Sequence, residues 1–259
     1  MREGGSLPGV VDTDDGMYVV KFRGAGQGPR ALVAELVVAG IARALELPVP
    51  DCAPVVLEPG FGAEQQDPEV RELLERSVGV NAGLRYLDGA FNYQPGAARE
   101  LIDARFASRT VWLDALVTNP DRTARNPNLL VWQRRPWLID HGSALYAHHS
   151  WSTLDDARMR TPFPMIRDHV LLDVADDIEG ADRAGAATLD RSAVERILDD
   201  VPDELLLDDA TALSPDATRV RYVAWLARRL EAPRAFADEA MRAREERLAA
   251  PAERLRTRR

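Results

Sequence analysis

The sequence predicts an α+β fold with two lobes: a small, β-rich N-terminal lobe with one helix and a larger, mainly helical C-terminal lobe. Two observations lead to this prediction. Short strand patterns separated by turn residues fill the first part of the chain, and helical patterns dominate from residue 161 onward. Strands followed by helices, rather than alternating with them, are typical of α+β proteins. We expect the small lobe to span residues 1–58 and the large lobe residues 59–259.

The small lobe begins with a glycine-rich segment and continues with strand patterns. Residues 10–12 and 17–22 have strand character, and the Asp-Gly turn between them favours a hairpin. Apolar residues at helical spacing then predict a helix over 31–47, which ends at two prolines. A short apolar run at 53–57 predicts a buried strand before a Pro-Gly break.

The large lobe is predicted to consist of helices around one β-hairpin. A polar loop lies between a long helix and this hairpin. The predicted helices span 68–77, 97–117, 187–199 and 217–230; the loop spans 119–128; and the hairpin strands span 129–132 and 137–139.

Bulk properties exclude several classes of protein. The net charge of −9 over 259 residues argues against a general binder of nucleic acid or membrane surfaces, because both are anionic. The single cysteine, Cys52, cannot form an intramolecular disulfide. No apolar stretch approaches the roughly 20 residues of a membrane span. We therefore expect a soluble, cytoplasmic protein with no membrane partner.

Charge is unevenly distributed along the C-terminal half. Residues 171–210 contain 13 acidic residues and 3 arginines, whereas residues 215–259 contain 12 arginines and 7 acidic residues. We expect these two segments either to face each other or to face solvent.

Lysine occurs once among the 33 basic residues, as Lys21 within an apolar strand pattern. Lysine carries a compact, flexible point charge, whereas arginine carries a wide planar fork. A lysine retained in an arginine-rich chain indicates a position where a guanidinium does not serve, although chance is the alternative explanation. A compact ammonium reaching up from a strand is the group that binds phosphate in kinases.

Three side chains between residues 119 and 142 form the strongest candidate site. Asp121 lies in the polar loop, Asn126 follows five residues later and leads into the hairpin, and Asp140 follows the second strand. A hairpin brings its ends together, so Asn126 and Asp140 should be neighbours. Their oxygen atoms suit magnesium carrying nucleotide phosphates, and Asp121 is placed to accept a proton from a hydroxyl. Gly142 would allow a sharp turn after the metal ligand.

These residues carry a resemblance to the HipA-like kinases, which are distant relatives of protein and phosphatidylinositol kinases. The resemblance rests on residues 18–30, 119–126 and 138–142, with further similarity at 162–169, and it covers residues 4–175. It implies a bilobal protein-kinase-like fold, ATP and Mg²⁺ as cofactors, and transfer of phosphate to an acceptor.

The resemblance also implies roles for individual residues. Lys21 would hold the α/β-phosphates and pair with Glu35 on the following helix. Asp121 would be the catalytic base, and Asn126 and Asp140 would bind the metal ion. The glycine-rich segment, including Gly4, Gly5 and Ser6, would cover the phosphates, with Ser6 a candidate for autophosphorylation; Leu57 and Glu58 would offer backbone groups to adenine.

Several alternatives remain open from the sequence. Asn128 is a second amide that could replace Asn126 at the metal. The glycine-rich segment begins close to Met1, so the strand expected before it is missing or very short. The acceptor could be a protein Ser/Thr hydroxyl, or a small molecule, as in the aminoglycoside phosphotransferases. A nucleotide-binding pseudokinase is the third interpretation.

Overall fold

The computed structural model describes residues 8–207 and 213–249, which form a small sheet lobe and a larger helical lobe. The α+β class is confirmed. The sheet has four antiparallel strands in the order β1-β2-β4-β3. Its strands are β1 (Gly9–Thr13), β2 (Gly16–Lys21), β3 (Cys52–Leu57) and β4 (Gly79–Arg85).

Strand β4 was not predicted from the sequence, although it is an inner strand of the sheet. Its two glycines and an asparagine are poor strand formers. Tertiary packing accounts for Gly83 and Asn81 at these positions. A Cβ at Gly83 would lie 2.6 Å from the side chain of Val55, and Asn81 is fully buried. The Asn81 amide accepts from Arg23 N–H at 2.8 Å and donates to Ser77 and Gly79 carbonyls. The sheet therefore extends beyond residue 58, where the sequence predicted that the small lobe ends.

Helix α1 (Gly28–Ala44) packs on one face of the sheet and is buried along most of its length. It contacts β3 and β4 on one side, and two helices of the large lobe, α7 (Arg191–Asp199) and α8 (Asp203–Leu206), on the other. Gly40 permits the close approach to α7, because a Cβ there would lie 2.7 Å from Ile197. The main hydrophobic core consequently runs through α1 from one lobe into the other.

The opposite face of the sheet has its own smaller core. Tyr18 and Val20 of β2 and Phe22, directly after it, face this side and pack with Leu57 and Leu74. Leu74 lies in α2 (Pro68–Glu75), which begins at the N-cap Asp67. Because side chains alternate along a strand, Lys21 projects to the face that carries α1.

The large lobe is built around the buried helix α4 (Ala104–Leu116), which begins at the N-cap Asp103. A second antiparallel sheet has the order β5-β6-β7. Its strands are β5 (Phe91–Asn92), β6 (Leu129–Trp132) and β7 (Arg135–Leu138); the other helices are α3 (Pro95–Ala98), α5 (Asp156–Met159), α6 (Ile178–Thr188), α9 (Pro215–Leu230) and α10 (Ala235–Ala249), with 3-10 turns at Arg99–Leu101, Tyr146–Thr153 and Pro164–Asp168.

The predicted helix over 187–199 is divided differently in the structure. Helix α6 ends at Thr188, and α7 begins after Asp190, whose side chain accepts a hydrogen bond from Ala193 N–H at 2.7 Å. An aspartate at an N-cap starts a new helix because it satisfies a free backbone N–H group. Within residues 8–207 and 213–249, none of the helices has the length and apolar character that crossing a bilayer requires.

Within the described residues, three arginines of the basic segment pair with carboxylates of the acidic segment, which agrees with one of the two expectations. Arg219 pairs with Asp203, Arg234 with Asp182 at 2.7 Å, and Arg247 with Asp173 at 2.7 Å. The arginines come from α9, α10 and the connection between them, and the carboxylates come from the segment that contains α6 to α8.

Arg229 fixes the C-terminal end of α4 from within the core. Its guanidinium donates to the carbonyls of Leu116 at 2.7 Å and Ala115 at 2.9 Å. It also donates to the carbonyls of Met159 and Thr161. Burial lowers the pKa of Arg229 to about 10. These bonds satisfy carbonyls that a helix end leaves without partners, and the loop containing Asp121 follows directly.

We expect Arg229→Lys to lower the free energy of unfolding by about 2–3 kcal/mol, because an ammonium cannot reach all four carbonyls and buried acceptors would lose charged donors. Urea unfolding followed by circular dichroism measures this change. Arg228→Lys is the matched control, since Arg228 forms its ion pairs with Asp156 and Glu231 at the surface. An equal loss in both variants would contradict the assignment.

Candidate active site

A buried ion pair joins the two lobes at Lys21. Lys21 ends β2, Glu35 lies in the middle of α1, and Asp140 follows β7. The Lys21 ammonium donates hydrogen bonds to both carboxylates. Lys21 and Glu35 are buried, whereas the Asp140 side chain is 39% exposed. One ammonium therefore contacts carboxylates from both lobes.

The charges in this cluster shift one another's protonation. Burial alone would lower the pKa of Lys21, but the carboxylates of Glu35 and Asp140 outweigh it and raise this pKa. Burial raises the pKa of the Glu35 carboxyl. Burial would also raise the pKa of Asp140, but Lys21 outweighs it and holds this pKa below the ordinary value. Lys21 therefore stays charged, and Asp140 stays ionised and partly open to solvent.

The chain turns at Asp140 itself and not at Gly142. Asp140 has a φ of 57°, in the left-handed region, whereas Gly142 has no positive φ. Glycine is instead needed at 142 for space, since a Cβ there would lie 3.1 Å from Glu35 Oε1 and 3.5 Å from Ala31 Cβ. The glycine thus lets the segment after Asp140 pass close to α1, which corrects the role expected from the sequence.

Asp121 is held by two amides of its own loop. Asn126 Nδ2 donates to Asp121 Oδ2 at 2.9 Å, and Asn128 Nδ2 donates to the same oxygen at 3.2 Å. The backbone N–H of Asp121 donates to Asn119 Oδ1 at 3.1 Å. Asp121 Oδ1 accepts no hydrogen bond from any described residue, and the side chain is half-buried. One carboxylate oxygen is fixed, and the other is left open.

The hairpin brings this loop next to Asp140. Leu129 pairs with Leu138, and Ile139 N–H donates to the carbonyl of Asn128 at 3.1 Å. Asn126 is exposed, whereas Asn128 is buried, so Asn126 has the more accessible amide. The structure thus brings together Lys21, Glu35 and Asp140 in one cluster and sets the Asp121–Asn126 loop beside it.

A second buried charge network supports the loop from behind. Arg122 Nε donates to Asp114 Oδ2 at 2.6 Å, and Arg122 Nη1 donates to the carbonyl of Asn128. His169 Nε2 also contacts Asp114 Oδ2, at 2.9 Å. Burial would raise the pKa of Asp114, but Arg122 and His169 outweigh it and lower this pKa far below its usual range. The network fixes Arg122, the residue next to Asp121.

His169 is neutral in this network. The N–H of Leu171 donates to His169 Nδ1 at 3.1 Å, so Nδ1 is the acceptor and Nε2 carries the proton that points at Asp114. Burial lowers the pKa of His169, in agreement with this tautomer. His141 is likewise buried, and burial together with Arg122 lowers its pKa to about 3. Within the described chain, no group of three or more His, Cys, Asp or Glu side chains could hold a metal ion.

Asp114, and a role for His169, were not predicted from the sequence. A signal was present in α4, since Asp114 is a charged residue among the apolar residues of a buried helix. Such a residue requires a buried partner. The partners lie 8 and 55 positions away, so the sequence alone offered no spacing rule that would have found them.

Leu57 and Glu58 are not brought to the ion pair. Leu57 pairs with Gly79 at the start of β4, whereas the chain enters the large lobe after Arg85 at the opposite end of that strand. The Leu57 side chain is buried in the core that faces α2, and Glu58 is exposed. The predicted phosphate-covering residues Gly4, Gly5 and Ser6 lie outside the described residues.

An apolar surface lies beside Lys21 on the same face of the sheet. Val19 precedes Lys21 by two residues on β2, and Val10 pairs opposite Val19 on β1. Val10 is 54% exposed although it is a large apolar residue. Across from the sheet lobe, a cavity of about 480 Å³ is lined by Ile139 and by the loop residues Asn126 and Asn128, among others.

We expect the folded protein to lose stability as pH falls below 6.5, the ordinary pKa of histidine. His169 stays neutral when folded but binds a proton when unfolded, so it contributes a loss of at most about 1.4 kcal/mol per pH unit. His169→Gln keeps a donor to Asp114 but does not titrate, and should show a smaller loss. Urea unfolding at several pH values measures both slopes, and equal slopes would show that His169 is not the titrating group.

Comparisons with known proteins agree with this architecture. The sequence matches the model of the HipA-like kinase family over residues 2–236. The fold is similar to the crystal structure of the Helicobacter pylori proinflammatory kinase CtkA, with a TM-score of 0.57 over 97% of this chain and 95% of that chain. The two sequences are 13% identical, so this likeness concerns the fold. No curated protein matches the sequence. The family match covers most of the chain, and the protein therefore belongs to the HipA-like kinases.

Proposed function

We propose that this kinase transfers the γ-phosphate of ATP, with magnesium, to a Ser or Thr hydroxyl of a protein. The observation that carries the proposal is the buried contact of Lys21 with Glu35 and Asp140, beside the loop that holds Asp121. This set combines a fixed cation for phosphate, an open carboxylate for a metal ion and a second carboxylate for a proton. Those are the parts that phosphoryl transfer needs.

The nucleotide is proposed to lie between the sheet and the hairpin of the large lobe. Lys21 would bind the α/β-phosphates, and Glu35 would hold its ammonium in place. Val10 and Val19 offer a flat apolar surface beside Lys21, which suits the face of a base. Because Leu57 and Glu58 lie at the far end of the sheet, adenine is expected nearer the end of β4, where the chain enters the large lobe.

The donor set fits magnesium. Asp140 supplies a partly exposed carboxylate. Asn126 supplies its amide oxygen, because its amide nitrogen donates a hydrogen bond to Asp121. Magnesium takes few protein ligands and completes its shell with water and phosphate oxygens. A magnesium ion held there would neutralise charge on the phosphates. Asn126 is preferred over Asn128 as the ligand because it is exposed.

Asp121 is proposed as the catalytic base. Its Oδ2 is held by Asn126 and Asn128, so Oδ1 is available to the acceptor hydroxyl. The acceptor oxygen forms a bond to the γ-phosphorus, the bond from this phosphorus to the β–γ bridging oxygen breaks, and the hydroxyl proton moves to Asp121. The two amides keep the carboxylate in one orientation, which favours a productive approach.

A protein acceptor is favoured over a cationic small molecule. The cavity beside the catalytic loop is lined by amides, apolar groups and Arg125, and none of the described residues that line it carries a carboxylate. Cationic antibiotics require carboxylates in their binding site. A pseudokinase is disfavoured because Lys21, Asp121, Asn126 and Asp140 are all present. Ser6 remains a predicted site of autophosphorylation.

We expect Asp121→Asn to lower phosphoryl transfer by about 10²–10⁴-fold, because the amide cannot accept the hydroxyl proton. ATP affinity should change little, since Asp121 is not proposed to contact the nucleotide. Incorporation of label from γ-labelled ATP, followed by mass spectrometry of Ser6 and other hydroxyls, measures phosphoryl transfer. Calorimetry measures ATP affinity. Asp176→Asn, at an exposed position of the large lobe, is the control. Wild-type turnover in Asp121→Asn would refute the assignment.

Lys21→Arg should reduce turnover by about a hundredfold or more, although the charge is kept, because a planar guanidinium does not fit the buried space between Glu35 and Asp140. The matched control is Arg23→Lys, two residues later in the same segment. Steady-state ATP turnover with magnesium measures both variants. Near-normal turnover in Lys21→Arg would mean that the single lysine is an accident of composition.

A further inference from the structure

A pocket lined by arginines lies away from the ion pair of Lys21. It has a volume of about 330 Å³ and is formed by the segment after α1, the start of α4 and the turn between β6 and β7. Four arginines line it: Arg105 and Arg109 from α4, Arg134 from the turn, and Arg135 at the start of β7. The pocket thus gathers positive charge in a protein whose net charge is −9.

Three of the four guanidiniums are uncommitted. Arg109 donates to the carbonyl of Leu45 at 3.0 Å and pairs with Glu46 at 3.5 Å. Arg105, Arg134 and Arg135 are exposed, and their side chains form no ion pair or hydrogen bond with the described part of the chain. Two acids also line the pocket: Glu46, which pairs with Arg109, and Asp103, whose carboxylate accepts from Phe106 N–H at 2.7 Å. Three open cations therefore converge on one cavity.

The turn that presents Arg134 has an unfavourable backbone. Gln133 has a φ of 49° and Arg134 has a φ of 60°, both in the left-handed region. Two-residue hairpin turns of this kind ordinarily contain asparagine and glycine, because other side chains are strained there. Arginine does not favour this turn conformation, so turn formation does not explain why an arginine occupies position 134. Strained residues of this kind concentrate at ligand-binding sites.

The pocket adjoins a groove that reaches the catalytic loop. A groove of about 710 Å³ shares Leu101 and Arg134 with the arginine pocket. The same groove shares Asn92 and Gln94 with the cavity lined by Asn126 and Asn128. The groove is mainly apolar, and Phe91 at its side is 57% exposed. A small anion would fill only the pocket, whereas an extended chain could occupy the pocket and the groove together.

We propose that the arginine pocket and the adjoining groove form a docking site for an acidic segment of the protein that accepts the phosphate. Carboxylates of this segment would pair with Arg105, Arg134 and Arg135, and its apolar residues would lie along the groove toward the catalytic loop. The inference rests on the proposed kinase activity, for which it names the class of acceptor. It is distinct from the nucleotide site, because none of these arginines belongs to the cluster around Lys21.

The test is direct binding in the absence of nucleotide. Two fluorescein-labelled peptides serve as probes. One has a block of glutamates at its N-terminal end, followed by alternating leucine and serine. The other has alternating leucine and serine first and the block of glutamates at its C-terminal end. At least one should bind the full-length protein, measured by fluorescence anisotropy. The combined variant Arg105→Gln, Arg134→Gln and Arg135→Gln should weaken binding by about tenfold or more, and added salt should also weaken it.

The matched control is Arg183→Gln, Arg191→Gln and Arg196→Gln. These exposed arginines lie on α6 and α7, and their removal changes the net charge by the same amount. This control should bind the peptide within about twofold of wild type, and peptides with glutamine in place of glutamate should bind weakly to all forms.

Three results would overturn the proposal. The first is that neither peptide binds the wild type, and the second is that peptide affinity falls equally in the pocket variant and the control variant. The third is that inorganic phosphate, at a concentration that supplies the same negative charge as the peptide, displaces the peptide. The last result would identify a pocket for small anions. Label transfer from γ-labelled ATP in wild type and Asp121→Asn decides the kinase activity separately. A failure of docking is therefore distinguishable from a failure of the proposed reaction.

Discussion

The structure depends on one buried ammonium shared by two carboxylates. Lys21, Glu35 and Asp140 come from a strand, a helix and the segment after a hairpin, and each would be unfavourable to bury alone. Their mutual contact requires that all three elements meet at one point. Because one cation faces two anions, the cluster keeps a negative side at the partly exposed Asp140, where a divalent cation is electrostatically favoured.

Other buried charges hold the surrounding loop without regular secondary structure. Asp114 anchors Arg122 and His169, and Arg122 in turn binds the carbonyl of Asn128. Arg229 holds the carbonyls at the end of α4, immediately before this loop. Irregular backbone can be rigid when its polar groups are satisfied from the core. The position of Asp121 is therefore set by the large lobe as a whole.

The α+β fold class could be predicted from the order of strands and helices, and the candidate site residues from residue type and order, whereas parts of the surrounding structure could not. Lys21, Asp121, Asn126 and Asp140 carry their chemistry in residue type and order, and a hairpin between two of them is a local pattern. Strand β4 was missed because its glycines and Asn81 are chosen by packing and not by strand propensity. Without β4, the strand that ends at Leu57 is the last predicted strand of the small lobe, and the adenine contact is predicted there. The hydrogen bonds of Asp114 join residues that are far apart in the sequence, so no periodic sequence pattern indicates them.

The passage of the hydrophobic core through α1 limits how this enzyme can be regulated. Swinging α1 outward would separate Glu35 from Lys21, but it would also expose the apolar surface that α1 shares with α7 and α8, at roughly 25 cal/mol for each Å². The close fit of Gly40 against Ile197 leaves little freedom for such a rotation. The Lys21–Glu35 ion pair is thus already formed in this structure. Control of activity would then act on the entry of nucleotide or acceptor, and not on the orientation of this helix.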